Sequence, residues 1–185
     1  MQPDRQTIES EILVLRCQRG EREAFEELVR AWERRLFFYI RRLVADEEDA
    51  WQILQDVWLQ VLRGIRSLRE PGRLPVWLYA VTRNTVMSHH RGEYARERIP
   101  DTVEPHESAE EDGHAHLDDA ELVHYGLSRI PRADRELLTL FFLRDLSINE
   151  VAEVLLIPPG TVKSRLFKAK KTLREILERE GRCDE

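Results

Sequence analysis

The residues best suited to chemistry are concentrated in one basic stretch near the C-terminal end, "TVKSRLFKAKK" at 161–171. Helix positions three or four residues apart share a face, so this stretch turns cations, a hydroxyl and an aromatic ring to one side. Cations bind phosphates and guanine edges, hydroxyls bind bases or phosphates, and an aromatic ring contacts thymine methyl groups. The pattern predicts a DNA-binding face. Its candidate residues are Thr161, Lys163, Ser164, Arg165, Phe167, Lys168 and Lys171.

An ordinary solvated amphipathic helix is the alternative, because lysine and arginine are routine on the solvent side of helices. Two features argue against it. Phe167 falls on the outward face, and a Pro-Pro-Gly sequence at 158–160 starts the helix abruptly. Arg165, Lys170 and Arg174 flank this face and are predicted to reach the DNA backbone.

The elements before this stretch have the order of a helix-turn-helix motif. Ser147 and Glu150 predict a capping box at the start of a short helix, with Leu146 and Val151 as a hydrophobic staple. The helix after the turn is predicted over 159–178, with a buried stripe at steps of four and three residues. The stripe comprises Val162, Leu166, Ala169, Leu173 and Ile176. Two short helices around a tight turn, the second of them basic, predict DNA binding.

Charge divides the 185 residues, whose formal charge is −6, into three segments. Residues 1–98 hold 17 basic and 16 acidic residues, 99–121 hold nine acidic residues and no Lys or Arg, and 122–185 hold 12 basic and 10 acidic residues. The middle segment has too few apolar residues to offset the entropy of ordering it. We therefore predict a flexible acidic linker at 99–119 between two domains, 1–98 and 120–185.

Both domains are predicted to be helical, so the predicted fold class is all-α. Apolar residues recur at steps of three and four, and no alternating strand pattern occurs. Predicted helices cover about 7–18, 25–43, 47–62, 76–91 and 118–128, and others begin near 131 and 147; a loop with Pro and Gly is predicted at 67–75. In the helix at 47–62 the residues predicted to face inward are Ile53, Leu54, Val57, Trp58, Val61 and Leu62.

The sequence offers no residues for enzyme chemistry. It contains no metal-ligand cluster, phosphate-binding loop or nucleophile constellation, so no catalytic residue, metal or cofactor is predicted. His106, His114 and His116 are interpreted as linker residues, because nothing fixes their geometry. Cys17 and Cys183 are expected to be reduced thiols. No stretch reaches the ~20 apolar residues that span a bilayer, and the N-terminus lacks a signal-peptide pattern, which favours a cytoplasmic location.

Taken together, the motifs resemble one family. "IPPGTVKSRLFKAKKTL" resembles the region 4.2 signature of bacterial RNA polymerase sigma factors of the extracytoplasmic function (ECF) group, and "LSINEVAEVLL" resembles the helix before it. "EAFEELVRAWERRLFFYIRRLV" resembles region 2.1, "DAWQILQDVWLQVLRGI" resembles region 2.2, and "VWLYAVTRNTVMSHHR" resembles regions 2.3 and 2.4. The resemblance covers about 10–98 and 120–178, in the family's order.

The resemblance implies a non-enzymatic protein that binds core RNA polymerase and directs it to a class of promoters. The N-terminal domain is expected to dock on the clamp helices of the beta-prime subunit through Asp49, Gln55 and Asp56. The same domain is expected to recognise and open the −10 element. The residues expected there are Arg83, Asn84, Ser88 and Arg91, with Trp77 and Tyr79 as candidates for base stacking, although core packing is favoured for Trp77.

The resemblance also implies that the basic helix enters the major groove of the −35 element. An anti-sigma factor is a further expected partner, because members of the family are commonly held inactive by one. Three interpretations of the acidic linker stay open. In the first, the linker occupies a basic channel of the polymerase. In the second, it repels DNA from the free protein. In the third, it is only a soluble tether between the domains.

Four positions depart from the family's usual pattern. Gln52 stands where an acid is usual, Ser88 where aspartate is common, and Gly92 where arginine is common. Leu156 occupies a turn position that often holds glycine, so the turn either avoids a positive φ or is strained.

Three other classes of protein are alternatives to this interpretation. A free-standing helix-turn-helix regulator explains the C-terminal domain but leaves 10–98 without a role. A helical adaptor leaves the outward basic face without a role, and an enzyme has no supporting residues. Binding to core RNA polymerase discriminates between these classes.

Overall fold

The computed structural model of the chain describes residues 5–96, 126–143 and 146–180. The predicted linker with its three histidines and Cys183 lie outside the described residues. The chain divides into two compact units, Met1–Arg98 and Ile99–Glu185, called here the N-terminal unit and the C-terminal unit. All regular secondary structure among the described residues is helical, which confirms the predicted fold class.

Four α-helices form the N-terminal unit. They are α1 Arg5–Gln18, α2 Arg22–Arg41, α3 Glu47–Gly64 and α4 Leu74–Arg96. Gly20 turns the chain between α1 and α2 with a φ of 85°, a conformation that side chains with a Cβ rarely adopt. Asp46 caps α3, because its side chain accepts hydrogen bonds from the backbone N–H groups of Glu48 and Asp49 at 2.6 and 3.1 Å. The start of α3 is therefore set by local sequence.

Aromatic rings fill the centre of this unit. Tyr39 on α2 and Tyr79 on α4 are buried, and their ring centroids lie 5.3 Å apart in an edge-on arrangement. Trp32 approaches Tyr79 in the same way at 6.1 Å. Such edge-to-face pairs stabilise a core by about 0.5–1.5 kcal/mol beyond the area they bury. This packing fixes α4 against α2.

The segment predicted as a loop at 67–75 contains more helix than expected. A 3₁₀ turn, Ile65–Ser67, ends at its first residue, a second one covers Pro71–Arg73, and α4 already begins at Leu74. The prolines of this segment are tolerated because the first N–H groups of a helix have no acceptor within it. Gln18 fastens the segment to α1: its Nε2 donates to the carbonyl oxygens of Ile65 and Leu68 at 3.0 and 2.8 Å.

The C-terminal unit is built around one long helix. Its elements are a helical end at 126–128, α5 Arg132–Leu138, a π-helical turn Thr139–Leu143, α6 Ile148–Leu155 and α7 Pro159–Glu180. A Cβ added at Gly126 would lie 2.8 Å from side-chain carbons of Leu173 and Leu177 on α7. A side chain at position 126 would force the ends of these two leucine side chains to shift, which favours glycine here. Pro131 is the residue before α5, whereas the sequence predicted it inside the first turn.

The predicted capping box at the start of α6 is confirmed. The backbone N–H of Glu150 donates to Ser147 Oγ at 3.3 Å, and the backbone N–H of Ser147 donates to Glu150 Oε2 at 2.8 Å. Leu146 and Val151, the predicted staple, are both buried. Two N–H groups that would otherwise lack partners are satisfied, so α6 starts at a defined residue.

Candidate nucleic-acid interface

The two faces of α7 are separated as the periodicity predicted. Its N-terminal half buries Val162, Leu166 and Ala169, while Leu173 and Ile176 are only half-buried farther along. On the opposite side the Phe167 ring is 74% exposed. Such exposure is unusual for a phenylalanine, because its burial elsewhere would stabilise the fold by about 1.5–3 kcal/mol.

The exposed face carries cations that the fold does not neutralise. Lys163, Arg165 and Lys168 are exposed, and no carboxylate among the described residues forms a salt bridge with them. Lys171 is exposed too, but its Nζ lies 3.8 Å from Glu175 Oε1. Thr161 is half-buried at the start of this face. This leaves three cations in the first half of α7 for an anionic partner.

Two flanking cations predicted to reach the DNA backbone have partners within the unit. Lys170 Nζ lies 4.6 Å from the ring centroid of Phe142 and 5.9 Å from that of Phe141, within cation–π range. Arg174 Nε donates to Glu178 Oε1 at 2.9 Å. Both side chains are exposed, so their contact with the DNA backbone stays a prediction; periodicity alone does not show the partners that they have within the unit.

A strained turn sets the direction of α7. Leu156 has a φ of 55°, the positive value that the sequence left as one of two alternatives, and its side chain is 77% exposed. Its conformation ends α6, and the carbonyl of Pro158 then accepts from the N–H groups of Thr161 and Val162 at 2.9 and 3.1 Å. Ser164 Oγ donates to the carbonyl of Thr161 at 3.1 Å. The result is the predicted helix-turn-helix, with the first turn of α7 facing solvent.

The four −10 candidates lie on the solvent side of α4. Asn84, Ser88 and Arg91 are exposed at steps of four and three residues, and Arg83 beside them is half-buried. Ser88 Oγ donates to the backbone carbonyl of Asn84 at 2.9 Å, and Arg91 Nη2 donates to Ser88 Oγ at 3.0 Å. The structure therefore brings three of the four predicted residues into one bonded row.

The structure buries one of the two residues that were candidates for stacking on bases of the −10 element. Tyr79 is 1% exposed in the core, so the prediction that it stacks on bases is wrong. Trp77 is half-buried, and its ring lies 3.2 Å from the position that a Cβ at Gly64 would take. This contact agrees with the favoured interpretation that Trp77 packs within the unit.

The three predicted polymerase-binding residues on α3 do not form one cluster. Gln55 and Asp56 are exposed, whereas Asp49 is half-buried with Oδ1 4.0 Å from His89 Nε2 on α4. Helical spacing places Asp49 and Asp56 near one edge of α3, seven residues apart, and Gln55 on a different strip of its surface.

That strip contains apolar residues that the sequence analysis missed. Trp51, Leu59 and Leu62 are 43%, 50% and 55% exposed, and with Gln55 they recur at steps of four, four and three. The prediction that Leu62 faces inward is wrong. Trp51 stacks on Phe37 of α2 with ring centroids 4.1 Å apart. This set, called the α3 apolar strip, was detectable as a second apolar stripe beside the buried one.

The C-terminal unit also has an apolar groove between α7 and the elements before it. Its volume is about 510 Å³, and charged side chains stand among its lining residues. The described residues that line it are Leu127, Leu138, Phe142, Lys170, Leu173, Arg174, Leu177 and Glu178.

The described part of the chain offers neither a membrane span nor a metal site. None of the helices there combines the length and apolar character that crossing a membrane requires. No group of three or more His, Cys, Asp or Glu side chains in the described ranges is placed to hold a metal ion. Cys17 is a buried free thiol, and burial raises its pKa.

Two helical units, one presenting an exposed basic recognition helix, define a DNA-binding transcription protein. The sequence patterns described as "Sigma-70 region 2" and "Sigma-70, region 4" match residues 28–96 and 120–173. The RNA polymerase sigma-H factor of Pseudomonas aeruginosa is 32% identical over 183 residues, covering 90% of this chain and 92% of that relative. The ECF RNA polymerase sigma-E factor of Haemophilus influenzae is 28% identical, with 90% and 94% covered.

The chain therefore belongs to the sigma-70 family of RNA polymerase sigma factors, in the ECF group. It is an alternative sigma factor that directs transcription initiation. Sigma factors are DNA-binding regulatory subunits rather than catalysts. Among solved structures, the sigma factor RpoE from Bartonella quintana, crystallised with the anti-sigma factor NepR, shares the fold. Its TM-score is 0.71 at 21% identity, covering 83% of this chain and 96% of that one.

Proposed function

We propose that this sigma factor divides promoter recognition between its two units. In this proposal α7 reads the −35 element in the major groove, α4 contacts the −10 element, and α3 docks on the beta-prime clamp helices of core RNA polymerase. The observation that carries it is the exposed face of α7, where the Phe167 ring lies among cations without carboxylate partners. The match to region 2 supports a role for the N-terminal unit, which a free-standing regulator left without one.

On α7 the cations and the ring have different tasks. Lys163 and Lys168 contact phosphates or guanine edges, and each phosphate contact contributes salt-dependent affinity without sequence choice. Phe167 supplies sequence choice through apolar contact with a thymine methyl group. The short helix α6, Ile148–Leu155, and the turn at Leu156 that follows it support this arrangement, because a helix-turn-helix motif presents the N-terminal residues of its second helix to the major groove.

The charge contribution is tested on holoenzyme assembled from the full chain and bacterial core RNA polymerase, with promoter DNA selected from a random-sequence pool. Lys163→Ala with Lys168→Ala is expected to weaken DNA binding at least tenfold and to flatten the salt dependence, while core binding is unchanged. The control is Arg179→Ala, because Arg179 is exposed near the end of α7, about 16 Å beyond Lys168 along the helix axis. Equal losses in both variants would contradict the assignment.

The Phe167 contact has its own test. Each thymine of the −35 region is replaced by deoxyuridine, which removes only the methyl group. The wild-type holoenzyme is expected to lose affinity at one position, and Phe167→Ala is expected to be insensitive to the same replacement. If both proteins respond equally at every position, Phe167 does not read a thymine methyl group.

Docking on polymerase is assigned to the α3 apolar strip together with the predicted Asp49, Gln55 and Asp56. Exposed apolar residues at helical spacing are typical of helix surfaces that bind another protein. Leu59→Ser with Leu62→Ser is expected to weaken core binding by at least tenfold. The control is Ile12→Ser on α1, where the side chain is 51% exposed but lies off the strip. A similar loss in the control would argue against docking through α3.

An anti-sigma factor completes the proposal. The Bartonella quintana relative was solved with one, and the apolar groove of the C-terminal unit offers a seat for an amphipathic helix of such a partner. The protein is proposed to work in the cytoplasm, where core polymerase and promoter DNA are found. Co-purification of the full chain with the product of an adjacent gene, abolished by Phe142→Asp but not by Leu59→Ser, tests the groove assignment, because Phe142 lines the groove and is 47% exposed.

A further inference from the structure

Ser88 is already engaged within its own helix. Its Oγ donates to the backbone carbonyl of Asn84 at 2.9 Å and accepts from Arg91 Nη2 at 3.0 Å. A hydroxyl has one hydrogen to donate and two acceptor positions. Its only hydrogen is therefore used, and it has little capacity left to read a base edge.

The bond to the helix backbone alone does not distinguish Ser88. Thr82 Oγ1 and Thr85 Oγ1 donate to the carbonyls of Leu78 and Val81 at 2.8 and 2.9 Å in the same way, four residues back along α4. Those two hydroxyls are buried, however, and Ser88 is exposed. What sets Ser88 apart is that a guanidinium group donates to it.

The hydrogen bond with Ser88 restricts the side chain of Arg91. A long exposed arginine loses side-chain entropy whenever binding orders it. The hydrogen bond to Ser88 orders part of that side chain before DNA is bound. Because the acceptor is a neutral hydroxyl and no described carboxylate pairs with Arg91, the guanidinium keeps its full positive charge for a phosphate.

We propose that Ser88 is a positioning residue whose hydroxyl aims Arg91 at a phosphate of the −10 element. The inference rests on the proposed contact between α4 and the −10 element. It changes the role of Ser88 from a direct DNA contact to a support for one. A carboxylate at this position would hold the guanidinium as well but would cancel its charge.

A double-mutant cycle on the holoenzyme with the pool-selected promoter fragment tests this inference. The dissociation constant is measured over a range of salt concentrations. Arg91→Ala is expected to weaken binding and to reduce the slope of log K against log salt by roughly 0.7–0.9, the value for one lost phosphate contact. Ser88→Ala is expected to weaken binding about threefold, as a lost hydrogen bond of ordinary net strength does. In the Arg91→Ala background, Ser88→Ala should have no further effect.

Two further variants distinguish positioning from simple support of the helix. Ser88→Thr keeps a hydroxyl that can bond four residues back, as Thr82 and Thr85 do, and should restore wild-type binding. Ser88→Asp should reduce both the affinity and the salt slope, as Arg91→Ala does. Circular dichroism of each variant checks that the fold is retained.

The experiment distinguishes a failure of this inference from a failure of the proposed function on which it rests. If Ser88→Ala weakens binding equally with and without Arg91, Ser88 acts independently of Arg91 and the positioning role is overturned. If Arg91→Ala changes neither affinity nor slope, the proposed −10 contact through Arg91 fails and the inference fails with it. If Ser88→Ala has no further effect in the Arg91→Ala background, and Ser88→Thr binds as the wild type does, the results support both the positioning role of Ser88 and the −10 contact through Arg91.

Discussion

The strained turn before α7 leads to a prediction about stability: the difference between a glycine and an alanine variant should have opposite signs at Leu156 and at Glu153. At Leu156, which has a φ of 55°, glycine should give a more stable C-terminal unit than alanine. At Glu153, an exposed position inside α6, alanine should give a more stable unit than glycine. The two pairs of variants differ by the same methyl group, so their comparison isolates the backbone conformation.

The magnitude follows from the conformation of each residue. A left-handed conformation costs a residue with a Cβ roughly 1–2 kcal/mol, and glycine removes that cost. Glycine also loses about 0.5–1 kcal/mol through its greater freedom in the unfolded chain. The net advantage of Leu156→Gly over Leu156→Ala is therefore about 0.5–1 kcal/mol. At Glu153 the difference should be about 1 kcal/mol in the opposite direction.

Urea unfolding separates the two units in one sample. All four tryptophans, Trp32, Trp51, Trp58 and Trp77, lie in the N-terminal unit. Tryptophan fluorescence should therefore be unaffected by these variants, while far-ultraviolet circular dichroism reports the helices of both units. If alanine is at least as stable as glycine at position 156, the left-handed turn is not the conformation that holds α7.

Three other predictions follow from the packing and the charge. Gly126→Ala should destabilise the C-terminal unit by about 1 kcal/mol in a circular dichroism unfolding curve, because overpacking against Leu173 and Leu177 costs roughly 1–3 kcal/mol and alanine recovers only about 1; an unchanged curve would refute this packing. Cys17 should react with iodoacetamide only as fast as the native unit opens. Because burial raises its pKa, the stability that this thiol contributes is fully present below its ordinary pKa of 9.0 and is lost as the pH rises through the folded value; equal labelling of native and urea-unfolded protein would contradict burial. Neutralising the nine acids of 99–121 should increase the affinity of the free chain for DNA at low salt, and an unchanged affinity would eliminate the repulsion hypothesis.

Much of the fold was predictable because each unit has a regular apolar period. Val162 and Ala169 were correctly placed in a core because a helix repeats every three to four residues, whatever it packs against. The capping box at Ser147 and Glu150 was predictable for a similar reason, since both hydrogen bonds form within four residues. Local rules were sufficient for these features.

The errors arose where the neighbours of a residue decide its environment. Leu62 was predicted to face inward because it is apolar, yet the fold leaves it exposed beside Leu59. Periodicity identifies an apolar stripe but does not tell a core from a surface that binds a partner. Tyr79 shows the converse: an aromatic residue in a motif expected to touch DNA is buried against Tyr39.

The candidate site was predictable in its residues but not in their bonds. The exposed face of α7 followed from spacing alone, including the outward position of Phe167. The partners of Lys170 and Arg174, and the bond between Ser88 and Arg91, required coordinates, because each depends on side-chain direction. These bonds show which of the cations already have a partner within their own unit.

The central claim is that this chain gives core RNA polymerase its choice of promoter through both units. The most direct measurement is run-off transcription by purified core polymerase, with and without the full chain, from the pool-selected promoter. The account predicts transcripts only when the chain is present, and a strong reduction with Lys163→Ala and Lys168→Ala. A chain that binds the promoter without core polymerase and leaves transcription unchanged would contradict the account.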